Sequence, residues 1–194
     1  IVRRLVGSEM CIRDRLKTLE KHHRYKPING VLLCLSLADL AESNEDGNPQ
    51  CDPIRLRARL SEMMQYLGVS FPIYLVFTKC DLLLGFQEFF QDLEPHQRNQ
   101  LWGSTINRED LASSDAQTIF TRNFDRLLKA LDQRLLVRLG GEIEDTEKST
   151  LYLFPQEFAA YRDRLADFVD ELFWPHAYQP DPTFRGFYFV SSAQ

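Results

Sequence analysis

The stretch Pro72-Ile-Tyr-Leu-Val-Phe-Thr-Lys-Cys-Asp-Leu-Leu-Leu-Gly-Phe86 decides the fold of this 194-residue chain. Its first half is a continuous apolar run, residues 73–77, which is rich in β-branched and aromatic side chains. Such a run is typical of a strand buried on both faces of a parallel sheet. Polar residues follow at once, and in open α/β sheets the carboxyl ends of the strands are where ligands bind. We therefore predict a buried strand that ends at a ligand-binding edge.

The polar residues that follow are Thr78, Lys79, Cys80 and Asp81. They have the form of the Asn-Lys-x-Asp element of GTP-binding folds, with Thr in the first place. In that element the Asp accepts hydrogen bonds from the guanine ring edge, and the Lys stem packs along the base. The alternative is a strand end at which Asp81 caps the next turn, and four residues do not separate the two interpretations.

A second apolar strand is predicted over residues 30–37, again buried on both faces, with Asp39 at its carboxyl end. Asp39 either faces the ligand cleft or caps a turn, and we favour the cap. A helix is predicted over residues 53–67, because Asp52 is a good N-cap, Pro53 suits the first helical position and Gly68 suits the end. Strand, helix and strand form a βαβ unit, which is right-handed almost without exception.

The rest of the chain alternates further helices and strands, which predicts an α/β sheet. The predicted elements are a short helix at 16–24, a loop at 104–114, a long helix at 115–139, a third strand at 150–154 broken by Pro155, a helix at 156–174 and a last strand at 184–190.

Composition excludes several classes of function. A net charge of -5, with no strong basic patch, argues against nucleic acid as a main partner. The four cysteines, at 11, 34, 51 and 80, lack metal-ligand spacing, and scattered histidines add no metal site. The longest apolar run is too short to span a bilayer, so we expect a soluble segment, although a larger parent protein could carry membrane helices elsewhere.

Four segments resemble, in the right order, the amino-terminal cytoplasmic domain of the IcmF/TssM family of type VI secretion systems. They are residues 27–40, 71–86, 151–158 and 185–192. The resemblance covers residues 16–194 and implies a P-loop GTPase-like, mostly parallel sheet with flanking helices. It also implies a parent protein in the bacterial inner membrane that works beside TssL, TssJ and baseplate proteins. Residues 6–15 look instead like translated adapter sequence, so we treat 1–15 as a candidate foreign segment.

The chain departs from the family pattern in one respect that bears on chemistry. It contains no Gly-x-x-x-x-Gly-Lys-Ser/Thr loop, which in the family precedes the part seen here and holds the phosphates and Mg²⁺. We therefore expect a partial GTPase-like domain, incomplete at its N-terminus. GTP or ATP with Mg²⁺ is a cofactor expected only in the intact protein, and this chain is predicted to be inactive in hydrolysis.

Only the base-contacting residues carry over from the family, namely Thr78, Lys79 and Asp81. The second base-contacting loop has two candidates. Strand order places it at Pro155 and Gln156, whereas Ser191 and Ser192, followed by Ala193, look more like the usual Ser-Ala-Lys loop. Two hypotheses follow, an interaction module of a secretion scaffold regulated by nucleotide, and a nucleotide hydrolase.

Overall fold

The structure is a computed structural model that describes residues 14, 16–18, 21–22, 28–41, 51–98, 100–140, 145–175 and 182–191. The candidate foreign segment 1–15 lies outside the described residues except for Asp14, so its origin stays a prediction. Residues 16–18 and 21–22, inside the short helix predicted at 16–24, are helical.

The remaining elements are strands separated by one or more helices. They are β1 (Val31–Ser36), α1 (Leu37–Ala41), α2 (Pro53–Leu67), β2 (Pro72–Thr78), a 3-10 turn (Cys80–Leu82), α3 (Phe86–Phe90), α4 (Pro95–Arg98), β3 (Trp102–Thr105), α5 (Arg108–Ser113), α6 (Ala116–Leu139), α7 (Asp145–Ala160), α8 (Arg162–Phe173) and β4 (Thr183–Phe189).

The strands form a four-stranded sheet in the order β1-β2-β4-β3. β1, β2 and β4 are parallel neighbours, and β3 pairs with β4 in the antiparallel sense. The prediction of a mixed α/β fold with a mostly parallel sheet is therefore confirmed, as is the unit of β1, α2 and β2.

Two helices begin and end where local signals predict. At the start of α2 the Asp52 carboxylate accepts the Ile54 N–H at 2.9 Å, and Gly68 ends the helix with φ of 63°, a left-handed conformation that suits glycine. At the start of α6 the Asp115 carboxylate accepts the Thr118 N–H at 2.7 Å. The predicted ends of α2 and the predicted start of the long helix near residue 115 are confirmed, because capping depends on neighbours in sequence.

The strand predicted at 150–154 is wrong, because these residues lie inside α7. Leu151, Phe154 and Phe158 are fully buried and recur at steps of three and four, which is a helical period. Pro155 does not break the element and lies buried within the helix. The helix predicted at 156–174 is in fact divided between α7 and α8.

The loop predicted at 104–114 is also wrong in part, since β3 and α5 occupy much of it. Gly103 explains why a short polar strand fits beside β4. A Cβ at this position would lie 2.2 Å from the Phe187 carbonyl oxygen, so the close approach of the two strands requires a residue without a side chain.

A single core covers one face of the sheet, and the long helices pack there. Leu33 and Leu35 of β1 and Leu75 and Phe77 of β2 are buried in it. α8 contacts α2, α6 and α7, so these four helices form one layer. No helix within the described ranges has the length and apolar character needed to cross a membrane.

The opposite face of the sheet is less covered than the sequence predicts. Leu32 is 69% exposed and Cys34 is also exposed, whereas Tyr74 and Val76 are partly buried. The prediction that β1 is buried on both faces is therefore wrong for the chain described here, because the long helices form a layer on the other side.

Candidate functional site

The carboxyl ends of the three parallel strands meet at one edge of the sheet, as predicted. The Thr78 hydroxyl at the end of β2 donates to the Leu35 carbonyl oxygen of β1 at 3.3 Å. On the other side the Val190 N–H, just past β4, donates to the Phe77 carbonyl oxygen at 2.8 Å. These bonds join all three strand ends, so side chains that follow the strands lie close together.

Lys79 makes the sharp turn at the centre of this edge. Its φ of 62° and ψ of 36° are left-handed, and it is the non-glycine residue with positive φ in the described part of the chain. This conformation costs a side-chain-bearing residue about 1–2 kcal/mol. The turn lets the Cys80 N–H donate to the Val190 carbonyl oxygen at 3.3 Å and starts the 3-10 turn that carries Asp81.

Asp81 contacts a residue that is distant in sequence. The Ser191 hydroxyl donates to Asp81 Oδ1 at 2.9 Å, and both residues are partly buried. The structure thus brings together two of the residues that the sequence singled out. Ser192 lies outside the described residues.

The two candidates for the second loop differ in their place in the structure. Pro155 and Gln156 lie within α7, so the strand on which the first candidate rests is a helix. Ser191 follows β4 and lies beside Asp81, and its role in contacting a base stays a prediction.

Asp39 also belongs to this edge, although the sequence favoured a capping role for it. Its carboxylate Oδ1 lies 3.8 Å from Lys79 Nζ, and both side chains are about half exposed. The oxygen that caps the first turn of α1 is instead Ser36 Oγ, which accepts the Asp39 N–H at 3.3 Å. Asp39 is therefore an ion-pair partner of the lysine.

The buried thiols at this edge are poor nucleophiles. The pKa of the Cys80 thiol is raised to about 12, chiefly by burial and to a smaller extent by the Asp81 charge, against the opposing effect of a backbone hydrogen bond with Val190. Burial likewise raises the pKa of Cys51 to about 11, with smaller contributions from Asp39 and Asp52. Both thiols stay protonated near neutral pH. Within the described ranges no group of three His, Cys, Asp or Glu side chains could hold a metal ion.

The sequence did not predict that Cys51 lies near this edge. The Asp39 charge contributes to the raised pKa of the Cys51 thiol, which is consistent with Cys51, next to the start of α2, lying near the Asp39 carboxylate. The order of the elements could have predicted this position, because a helix that follows a parallel strand begins at the carboxyl edge of the sheet.

The arrangement offers a hydrogen-bond acceptor, a cation and hydroxyl groups on a rigid frame. A carboxylate that accepts hydrogen bonds suits a flat ring edge bearing N–H groups, and the aliphatic stem of a lysine can pack against a ring face. The edge thus presents groups suited to a flat ring that bears N–H donors, whereas these 194 residues contain no Gly-x-x-x-x-Gly-Lys-Ser/Thr loop for phosphates.

A shallow open groove of about 470 Å³ lies elsewhere, along α6, and is a poorer candidate. Two of its charged side chains already have ion-pair partners, since Arg122 pairs with Asp110 and Asp125 with Arg162, each at 2.7 Å. We interpret this groove as a solvated helix surface.

Comparison with known proteins is consistent with these observations. Residues 13–194 match the family model described as the IcmF-related N-terminal domain. The chain is 39% identical over 182 residues to the type VI secretion system component TssM1 of Pseudomonas aeruginosa. That alignment covers 93% of this chain and 16% of the relative, so the chain spans a small part of that protein. No solved structure gives a significant match.

Proposed function

Since this chain belongs to the IcmF-related family, we propose that it serves as an interaction domain of a type VI secretion membrane-complex subunit, and that nucleotide regulates it. The observation that carries the proposal is the 39% identity to TssM1 across 93% of the chain. We place the domain at the cytoplasmic face of the bacterial inner membrane, attached to a parent protein held in the membrane. Its proposed partners are TssL, TssJ and baseplate proteins of the same system.

The interaction role is tested by affinity purification of the full-length polypeptide from cells that express the secretion system. We expect secretion subunits to co-purify, and a matched deletion of residues 16–194 to lose at least one of them while the protein still reaches the membrane. Co-purification of the same subunits with and without the domain would contradict the proposal.

The proposal that nucleotide regulates the domain depends on interpreting the fold as GTPase-like. The support is a mostly parallel sheet with Thr78, Lys79, Asp81 and Ser191 together at its carboxyl edge. In this proposal Asp81 accepts hydrogen bonds from the base, Ser191 orients that carboxylate, and the stem of Lys79 packs against the ring. GTP or ATP with Mg²⁺ would bind in the intact protein, with the phosphates held by groups outside this chain.

A second candidate function, nucleotide hydrolysis, draws on the same edge of the sheet. Hydrolysis requires stabilisation of charge that develops on the transferring phosphoryl group, and contacts to the base do not supply it. We therefore expect the 194-residue chain to show no turnover, whereas turnover by the intact protein would favour the hydrolase.

Calorimetric titration of the full-length polypeptide with GTP and with ATP tests the nucleotide proposal. We expect binding of one nucleotide in the presence of Mg²⁺, and weaker binding after Asp81→Asn. Asp132→Asn is the matched control, since Asp132 is an exposed residue of α6 outside the site. Absence of binding by the unmodified polypeptide would overturn nucleotide regulation and leave the interaction role standing.

A further inference from the structure

Two charged residues of the turn after β2 contact residues that follow different neighbouring strands. Lys79 Nζ lies 3.8 Å from Asp39 Oδ1, and Asp39 belongs to α1, which continues directly from β1. Asp81 Oδ1 accepts the Ser191 hydroxyl at 2.9 Å, and Ser191 follows β4. Because β2 lies between β1 and β4 in the sheet, the lysine and the aspartate are drawn toward opposite sides of the β2 end.

Backbone hydrogen bonds fix the positions from which these side chains extend. The Asp39 N–H donates to Ser36 Oγ at 3.3 Å, which ties Asp39 to the end of β1. The Cys80 N–H, between the lysine and the aspartate, donates to the Val190 carbonyl oxygen at 3.3 Å, which ties the turn to the end of β4. The left-handed backbone of Lys79 lies between these two anchors. The ion pair therefore sets the direction of the one long, flexible side chain at this edge.

The direction of the lysine matters because an opposite charge lies two residues further along the chain. The ammonium of a lysine is a compact charge on a flexible four-carbon stem, and any nearby carboxylate attracts it. An ammonium at Asp81 would occupy acceptor oxygens that the proposed function assigns to the N–H groups of a base. Asp39 offers the ammonium a different carboxylate, on the opposite side of the turn from Ser191.

We propose that Asp39 is a positioning residue for base recognition. Its ion pair turns the Lys79 ammonium toward β1, and the Asp81 carboxylate then accepts hydrogen bonds from the ring edge. With its ammonium held in this way, the lysine presents its aliphatic stem to the ring face. This inference rests on the proposed nucleotide function and deepens it, because it assigns a role to a residue outside the Thr-Lys-Cys-Asp motif.

A double-mutant cycle between Asp39 and Lys79 tests the proposal in the full-length polypeptide. Calorimetry gives the Kd for GTP and for ATP with Mg²⁺, for the unmodified protein, Asp39→Asn, Lys79→Met and the double variant. Asp39→Asn should weaken binding about threefold, since exposed ion pairs contribute modestly. In the Lys79→Met background, which keeps an aliphatic stem without the ammonium, the same substitution should lack this threefold effect. Repulsion between Asp39 and the phosphates is present in both backgrounds, so the cycle cancels it.

Three further measurements distinguish positioning from a general structural effect. Asp39→Glu keeps the charge and should bind like the unmodified polypeptide. Asp132→Asn removes a charge from an exposed part of α6 and should also leave binding unchanged. The coupling between Asp39 and Lys79 should decrease in about 1 M KCl, because salt screens exposed charges.

The outcomes separate this inference from the proposed function. Equal effects of Asp39→Asn in the two lysine backgrounds would overturn the positioning role and leave nucleotide regulation standing. Tighter binding by Asp39→Asn, or binding by Asp39→Glu as weak as by Asp39→Asn, would overturn the positioning role in the same way. Absence of binding by the unmodified polypeptide would overturn both.

Discussion

The Ser191 hydroxyl donates a 2.9 Å hydrogen bond to the Asp81 carboxylate across 110 residues of sequence. The bond exists because β4 lies beside β2 and both strands end at the same edge of the sheet. It holds the carboxylate in one orientation before any ligand arrives. The entropy lost in orienting this carboxylate is part of folding, so it does not reduce the affinity for a ligand. This is the advantage of a preorganised site.

Replacement of Ser191 by Ala should weaken nucleotide binding by the full-length polypeptide about fivefold, because one hydrogen bond contributes about 1 kcal/mol. Ser191→Thr retains the hydroxyl and is the matched control. The measurement is a fluorescence titration with a labelled guanine nucleotide. If Ala and Thr variants bind equally well, Ser191 does not position Asp81 for binding.

The left-handed backbone of Lys79 leads to a prediction about stability. Lys79→Gly removes the side chain and the strain, whereas Lys79→Ala removes the side chain alone, with φ still at 62°. We expect the Gly variant to have the larger free energy of unfolding, by about 1 kcal/mol. Urea unfolding of both variants measures the difference. An Ala variant as stable as the Gly variant would show that the turn relaxes to another conformation.

The fold was predictable where its causes are local or periodic. Asp52 and Gly68 signal the ends of α2 within a few residues, and the run at 73–77 consists mostly of β-branched and aromatic side chains, which favours a strand. The run at 150–154 has the same length, and runs this short do not distinguish a buried strand from a buried helix by their period. Its helical state is set by packing, since the Phe154 ring contacts the rings of Phe86 and Phe89.

The location of the candidate site was predictable, because ligands bind at the carboxyl ends of parallel strands. The contacts between its side chains were not. The sequence places Lys79 and Asp81 at one strand end and Ser191 at another. Which side chains touch depends on sheet order and on the turn at Lys79, and neither is encoded in a short motif. For this reason Asp39 was assigned to capping, although its carboxylate lies 3.8 Å from Lys79 Nζ.

Two glycines with similar backbones should respond differently to the same substitution. Gly68 has φ of 63° with nothing near the position of a Cβ, whereas at Gly85, with φ of 77°, a Cβ would lie 2.5 Å from the Thr150 carbonyl oxygen. Gly68→Ala should cost about 1 kcal/mol of unfolding free energy through backbone strain. Gly85→Ala should cost about 2 kcal/mol more, because α7 must also move away. Equal losses in thermal or urea unfolding would refute the steric part of this prediction.

The N-cap of α6 gives a prediction with a defined pH dependence. Hydrogen bonds from the Thr118 backbone N–H, and then from its hydroxyl, hold the pKa of Asp115 below its ordinary value. Because the pKa is lower in the folded state, the stabilisation is fully present above the unfolded pKa of about 3.9 and is lost as the pH falls through the folded pKa. Asp115→Ala should therefore cost about 1 kcal/mol at pH 7 and progressively less in acid.

Asp115→Asn separates the capping bond from the charge, since its amide oxygen accepts the Thr118 N–H but does not titrate in this range. We expect the Asn variant to be nearly as stable as the unmodified chain at pH 7 and more stable relative to it below pH of about 4. Urea unfolding of the three proteins at neutral and acidic pH measures these differences. A loss in the Ala variant that is the same at both pH values would show that the Asp115 charge does not contribute to the cap.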